Sequence, residues 1–542
     1  MGRKRKVRKG KNSYREGEED TSEEDCYEKV KKRREEIGKE MKKEIPENKP
    51  KFEPVENLEC VIPRGAIIPI LRQLDMADLL KMGCVSKSFY QLSKRKILWS
   101  EIKLDGYEEL DDEKFKSFVA EYVRGNEFFH TFILNGCTNL TDLGLRFLAP
   151  CCSRLKTLEI GYAGAELSGK SLGLVLKQCQ STLESLKLTY SYSLFNGIIK
   201  AAGKDLRMEK MSRLVIVGVN SGMRLVKYLT DSSNKENIKE LVVGDTKYTA
   251  DFPKVLKGML NLEIFRHFEE HAERKFECQP PFEDQIAILN QLPDGIKTLD
   301  AFLTRSFYFD QLVERFPLLE NLSTTHQTGN YSLTKVKSKI KYLCIGYFQF
   351  NIPPNFVPFP NLEHLVLKYV SQLKIPIVGA CSSSLKTLEM HVVSHLTGTE
   401  SCLSSCTKLE TLSLIGYGGS SFLQFVPSSL QKLVWKPFYQ LELMSIAVEL
   451  FNKHCRSLIH LEMEIQSGNF STGENMNSNK FDLPLLETVL ISSVNPFFDM
   501  MDAVKRLLGC ANLKDITLET IKPIEEDVFK LCEEKGITLT LI

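Results

Sequence analysis

One spacing constrains this chain more than any other feature. Leu155-Lys156-Thr157-Leu158-Glu159-Ile160 sets apolar residues in an L-x-x-L-x-L frame. The frame also starts at Phe129, Leu183, Met211, Ile238, Leu262, Ile296, Leu319, Ile340, Leu362, Leu385, Leu409, Leu430, Leu458, Leu486 and Leu513, with Leu539 and Leu541 as a closing fragment. From Leu155 onward the starts lie 21 to 34 residues apart. A frame held over sixteen starts is not a chance pattern. Self-similarity at such a period marks stacked structural units.

The second and third apolar positions of each frame alternate with other residues, as on a short strand whose two faces differ. One unit cannot bury that apolar face, so neighbours stack and share an elongated core. The lengths fit a leucine-rich repeat. The expected fold class is therefore α/β, a solenoid with a parallel sheet on its concave face, spanning residues 129–542. Leu140 to Cys152 carries a capping Thr141 or Asp142 and then apolar residues at helical spacing, so the end repeats are expected to return as helices. Repeats between Leu319 and Leu430 are too short for that. Segments such as Ile352-Pro353-Pro354-Asn355-Phe356 are expected to be extended or irregular, and the curvature uneven. Cys152, Cys406, Cys455 and Cys510 sit three residues before a start, and Cys179 and Cys381 four before. Falling one per repeat without Cys-x-x-Cys pairing, they read as buried structural thiols, not metal ligands.

Composition bounds the rest. The 542 residues hold 72 basic and 70 acidic side chains, a net charge of +2 that argues for no nucleic-acid or membrane footprint. Residues 1–50 hold 17 basic and 13 acidic residues, leaving 55 and 57 for the remainder. So charged a segment cannot bury enough surface to offset its ordering entropy, and residues 1–55 are expected to be a disordered tail. Within it, Arg3-Lys4-Arg5-Lys6-Val7-Arg8-Lys9 resembles a nuclear-import signal, with a solvated charge run as the alternative. No apolar run approaches the length of a membrane span. The start lacks the apolar core of a secretory signal, and the fifteen cysteines are too sparse for a disulfide scaffold. A reducing compartment, nucleus or cytoplasm, is expected, and Asn469-Phe470-Ser471 is not expected to be glycosylated.

Residues 61–100 read as two or three short amphipathic helices. Asp75 or Asp78 can cap the second, and Val85, Phe89 and Leu92 recur at helical spacing. Ile62-Pro63, Leu71, Leu74, Asp78-Leu79-Leu80, Val85-Ser86-Lys87, Phe89, Leu92 and Leu98-Trp99 resemble an F-box, here taken as residues 58–104 with a linker or cap at 105–128. An F-box followed by leucine-rich repeats resembles the substrate receptors of SCF-type ubiquitin ligases. Cys137-Thr-Asn-Leu-Thr-Asp-Leu-Gly-Leu145, followed by Cys152 and Leu155, is similar to that family's cysteine-containing repeat. The resemblance implies that these helices bind a Skp-type adaptor, and through it a cullin scaffold. Ile62, Pro63, Leu71, Leu74, Leu79, Val85, Phe89 and Trp99 would then be adaptor-facing or module-core residues. Two departures bear on that affinity. Gly65 stands where the family usually has an acidic residue, and Pro69 falls inside the first helix, where an interior proline costs about 3 kcal/mol. Starting the helix at Pro69 would avoid the penalty and shorten the helix.

Two catalytic spacings compete with the repeat. Gly164-Ala-Glu-Leu-Ser-Gly169-Lys170-Ser171 matches a phosphate-cradling loop, in which Lys170 would reach phosphates and Ser171 would hold magnesium. Yet Leu167 to Cys179 aligns without a gap on Leu140 to Cys152, so repeat chemistry already explains it. His267-Phe-Glu-Glu270-His271 matches H-x-x-E-H, which needs one helix face, whereas His267 falls at the third apolar position of a strand. His364, His391 and His460 are spread along the strands and read as surface residues. No catalytic residue, metal or cofactor is expected.

The outward strand positions define a substrate face. Val215, Val217, Val242, Ile264, Arg266, Phe268 and Phe302 form an apolar stripe with an arginine, an interface signature unless the loop after Phe268 folds over it. Glu462, Glu464, Asp515 and Glu519, beside Lys432 and Lys436, would suit a basic partner. Ser467 to Asn479 reads as a mobile insertion. The reading is a non-catalytic substrate receptor of an SCF-type ligase, holding an unknown protein target. The alternative, favoured by Gly65 and Pro69, is an interaction scaffold outside any ligase.

Overall fold

The computed structural model describes residues 64–162, 167–190, 194–219, 221–231, 233–268, 280–301, 309–324, 327–328, 339–346, 348–349, 359–372, 378, 383–392, 400–416, 420–437, 444–464, 480–493, 500–520 and 526–542. Ile62, Pro63, Phe302, His271, Cys381, the 352–356 segment and the 467–479 insertion lie outside them. The chain divides into two units, Met1–Gln73 and Leu74–Ile542.

In the first unit one helix, Arg64–Leu71, is described, with Pro69 inside it. It therefore does not begin at Pro69 as the proline penalty alone would favour. Only one intrahelical bond is lost, because the donor missing at Pro69 would have served the carbonyl of residue 65. That residue is Gly65, so the two departures sit four apart, on the same turn.

The second unit opens with helix Met76–Gly83, capped by Asp75, whose Oδ1 accepts from the Asp78 N–H at 2.7 Å. Helix Lys87–Ser93 follows, capped by Ser86 Oγ, which accepts from the Phe89 N–H at 3.2 Å, and then a 3₁₀ turn, Lys96–Trp99. From there the chain is a solenoid. Among the described residues, twenty strands form one sheet. The first, β1 (Glu101–Asp105), pairs in parallel with β2 (Thr131–Asn135), and β2 pairs with β3 (Thr157–Gly161). The pattern continues to β19 (Asp515–Thr520) and β20 (Thr538–Leu541), so the closing fragment belongs to the sheet. The sheet starts one repeat before Phe129. Trp99, Ile102 and Leu104 occupy the frame, and helix Asp112–Phe118 is that repeat's return path, inside the stretch expected to be linker.

Register follows from the frame. Leu134 pairs with Ile160, Ile160 with Leu188, Leu188 with Ile216 and Ile216 with Val243, one fully buried column. Return paths are helical in the long repeats, as at Asp142–Leu148 (capped by Thr141), Lys170–Gln178, Leu194–Ala202, Met444–His454 and Met500–Leu507. Two of the short repeats return instead through 3₁₀ turns, Glu400–Ser405 and Ser421–Phe425.

Two polar ladders tie neighbouring repeats. Ser/Thr immediately before a frame start donates to the backbone of the previous repeat: Thr182 Oγ1 to Leu155 O (2.8 Å), Ser384 Oγ to Leu362 O (2.8 Å), Ser429 Oγ to Leu409 O (2.8 Å) and Ser457 Oγ to Leu430 O (2.7 Å). Immediately after the starts, charge alternates over eight consecutive repeats: Lys239, Glu263, Lys297, Glu320, Lys341, Glu363, Lys386 and Glu410. Lys297 meets Glu263 at 2.8 Å, Lys341 meets Glu320 at 3.0 Å and Lys386 meets Glu363 at 2.6 Å. Such exposed pairs contribute little singly, but like charges stacked there would oppose the register. Lys297 holds the Glu263 carboxyl, and Lys386 that of Glu363, below the usual carboxylate range. Their contribution is present above that range and is lost as pH falls through the depressed values. Removing one ladder hydroxyl by Ser457→Ala is expected to lower the unfolding free energy by about 1 kcal/mol, read as a shifted urea midpoint with unchanged slope.

Candidate functional site

The residues assigned to the adaptor sort by burial. Leu79 and Trp99, in the second unit, are interior and do not present a surface, and Leu71, on the first unit's helix, is buried as well. Leu74 and Phe89 are half-buried, while Val85 is 65% exposed. Ile70, in the first unit's helix, and Tyr90 are also exposed large apolar side chains, although sequence reasoning passed over both. Their signal was present: each lies one residue from a position already chosen.

Trp99 fastens the helices to the first repeat. It packs on Tyr122 with centroids 4.3 Å apart and edge-on against Phe118 at 5.5 Å, and its Nε1 donates to Ser93 O at 2.6 Å. Asn126 Nδ2 donates to the carbonyls of Lys96 (2.9 Å) and Trp99 (3.0 Å). Lys94 meets Glu121 at 2.6 Å, and Tyr90 Oη donates to the same carboxylate at 3.1 Å. The Lys94 hydrogen bond pulls the Glu121 carboxyl below its usual range.

On the concave face the register sets Lys187, Val215, Val242, Arg266, Asp300 and Ser323 in one row across β4 (Ser185–Thr189), β5 (Arg213–Val217), β6 (Glu240–Gly244), β7 (Ile264–Phe268), β8 (Thr298–Ala301) and β9 (Asn321–Thr324). The apolar stripe is not an open one. Val215, Val217 and Val242 are each less than 8% exposed and form a closed cluster with Tyr190 and Phe268 packed against it. Ile264 and Phe268 are half-buried and Arg266 is exposed. Side chains at the strand ends, Tyr190 and Phe268, shield the valines from water, and the loop after Phe268 lies outside the described residues.

Asp300 is the polar feature that reasoning from apolar residues missed. Its Oδ1 is shielded from solvent with no hydrogen-bond partner among the described residues. Burial pushes its carboxyl up to about 6, against the opposing pull of the Ser323 hydrogen bond and of Arg266 and Lys368. Lys368 stands on β13 (His364–Gln372). Asp300 thus carries an unsatisfied carboxylate oxygen beside an exposed arginine on an outward strand position. Farther along, Lys436 Nζ already meets Glu462 at 2.5 Å, which reduces the acidic surplus there.

The catalytic spacings have other uses. Ser171 is fully buried, and its hydroxyl donates to the Asp142 carbonyl. The Asp142 carboxylate accepts from Ser168 Oγ and from the Ser171 N–H at the helix start where a phosphate would sit. His267 is buried on β7, pushed down to about 3 and so neutral. The thiols of Cys152 and Cys179 donate to Leu148 O (3.3 Å) and Val175 O (3.2 Å), and burial raises the Cys455 thiol to about 12, all in keeping with structural cysteines. Among the described residues no cluster has the makings of a metal site, and no helix is long and apolar enough to cross a membrane.

Residues 61–101 match the F-box domain family model. No curated protein sequence matches the chain. Among solved structures, a chain from the crystal structure of the Rad7 and Elc1 complex in yeast is similar over 86% of this chain and 98% of that chain, at 14% sequence identity and a TM-score of 0.34.

Because ionised Asp300 is held at an elevated pKa, its penalty is absent below the usual carboxylate range and complete above about pH 6. Asp300→Asn is expected to stabilise the chain by about 1–3 kcal/mol at pH 7.5. Urea midpoints should show that gain shrinking towards pH 4.

Proposed function

We propose that the protein is a non-catalytic substrate receptor of an SCF-type ubiquitin ligase. The observation that carries this reading is an F-box match at residues 61–101 running directly into a parallel-stranded solenoid, with Val85 left exposed on the module. The F-box would bind a Skp-type adaptor and through it a cullin scaffold. The concave row around Arg266 and Asp300, floored by the valine cluster, would hold the target protein. Catalysis would be by proximity: a target lysine kept near a charged conjugating enzyme meets it at high effective concentration. Within this reading the basic cluster Arg3–Lys9 serves nuclear import.

A scaffold outside any ligase is the second reading, supported by Pro69 within the first helix and by Gly65. Co-purification of the full chain with a Skp-type adaptor separates the two. The expected result is a stoichiometric complex that Val85→Asp weakens at least tenfold, about 1.4 kcal/mol or more, with an unchanged melting temperature. Leu79→Asp, which buries a charge, is expected to unfold the module instead. A folded wild-type chain that captures no adaptor overturns the receptor reading and leaves the scaffold.

A further inference from the structure

In the N-terminal repeats the residue after each strand takes the left-handed conformation. Glycine fills that place at Gly106, Gly136 and Gly218, with φ of 74°, 72° and 65°. Tyr162 (φ 47°) and Tyr190 (φ 50°) fill it in the two repeats between, and Asp245 (φ 46°), a type more often tolerated there, fills it after β6. The turn does not call for tyrosine. Tyr162 donates its N–H to Thr189 O at 3.1 Å and Tyr190 donates to Val217 O at 2.7 Å, just as Gly106 donates to Asn135 O at 2.9 Å and Gly136 to Gly161 O at 3.0 Å. Side chains are disfavoured in this conformation, and unfavourable backbone retained in two consecutive repeats points to a use for the rings.

The rings are stacked, with centroids 4.5 Å apart and planes 23° from parallel. Tyr190 is held in place. Its ring lies so close over Gly218 that a Cβ there would stand 2.4 Å from Cδ1, and its hydroxyl donates to Asp245 Oδ2 at 3.3 Å. Tyr162 is the outer ring, 57% exposed, and its hydroxyl has no partner among the described residues. Beside it Gly161 leaves room for the Asn135 carboxamide, whose Oδ1 would stand 2.5 Å from a Cβ at that position. Asn135 Nδ2 in turn donates to Asp105 Oδ1 at 2.7 Å, one strand farther on. From Asp105 into the start of helix Asp112–Phe118, residues 105–113 carry six acidic residues, no basic one, and the exposed Tyr107; Asp111 meets Lys114 at 3.6 Å and Asp112 accepts from Thr141.

We propose that the Tyr162–Tyr190 stack, with Asn135 and Asp105 beside it, is a docking site for an arginine side chain presented by a basic segment of a protein partner. A planar guanidinium stacks on a tyrosine face and directs its donors to carboxylate and amide oxygens in the same plane, which a lysine ammonium cannot do. Aromatic stacks also serve single-stranded nucleic acid, but there they line a basic groove. The acidic stretch beside this rim repels phosphate and attracts a basic segment. The site lies at the ends of the strands, where Tyr190 also packs on the valines of the row containing Arg266 and Asp300, and it stands whether or not the F-box joins a ligase.

The test is fluorescence anisotropy on the full chain with a labelled peptide of alternating arginine and glycine. A lysine–glycine peptide and an oligothymidylate serve as comparisons. The expected result is saturable binding of the arginine peptide, several-fold tighter than the lysine peptide, that Tyr162→Gly weakens about tenfold. Because glycine is the residue found at this place in neighbouring repeats, Tyr162→Gly should melt no lower than wild type, so its loss of binding cannot come from unfolding. No binding of the arginine peptide overturns the proposal. So does binding that Tyr162→Gly leaves unchanged, an equal affinity for lysine, or a preference for the oligonucleotide.

Discussion

The in-register pairing of each strand with the strand one repeat away is what the rest of this structure depends on. A lone parallel strand leaves a row of unpaired backbone groups on each side, and only the next repeat can satisfy them. Sliding one repeat by a single residue would turn its apolar column outward. The frame of buried residues at first, fourth and sixth positions prevents that. Once the register is fixed, other repeat positions also form lines: the hydroxyls before four of the starts, the alternating charges after eight of them, and the left-handed residue behind each of the first six strands.

That dependence explains which parts were legible. The solenoid could be read from sequence because its period is imposed by burial, and His267 could be assigned to a core column from spacing alone. The first strand was overlooked because its frame begins with Trp99, a residue already claimed by the helical module, and because Ile102 and Leu104 precede the first phenylalanine start. The apolar stripe falls on outward strand positions, but whether it is open or covered is not legible in the sequence. Nothing in the spacing reveals that Tyr190 and Phe268 fold back across Gly218 and Gly244 to cover the valines. Asp300 went unnoticed for a related reason. Its role depends on what shields it, whereas its position, in the same row as Arg266, was legible all along.

The candidate sites share a feature. Each sits where a repeat departs from its neighbours in a place that the register would allow to be ordinary. A carboxylate occupies a row that also takes valine, serine and lysine, and two tyrosines occupy a place that accepts glycine. Local conflict of this kind, tolerated inside a strongly consistent fold, marks function better than any single motif does. The phosphate-loop match shows the converse. All of its described residues are accounted for by the repeat, down to the carboxylate of Asp142 at the helix start.

Trp99 joins the two parts of the second unit, as the last residue of the helical module and the first core residue of the sheet. Hydrogen exchange on the full chain with Trp99→Ala, a change expected to cost about 3–5 kcal/mol, tests that shared role most directly. If the module and the first repeat are one cooperative piece, amides of Lys87–Ser93, Glu101–Asp105 and Phe115–Val123 lose protection together while those from β3 onward keep it. If Glu101–Asp105 stays protected while Lys87–Ser93 alone opens, the module is merely attached to the solenoid, and the shared core described here is wrong.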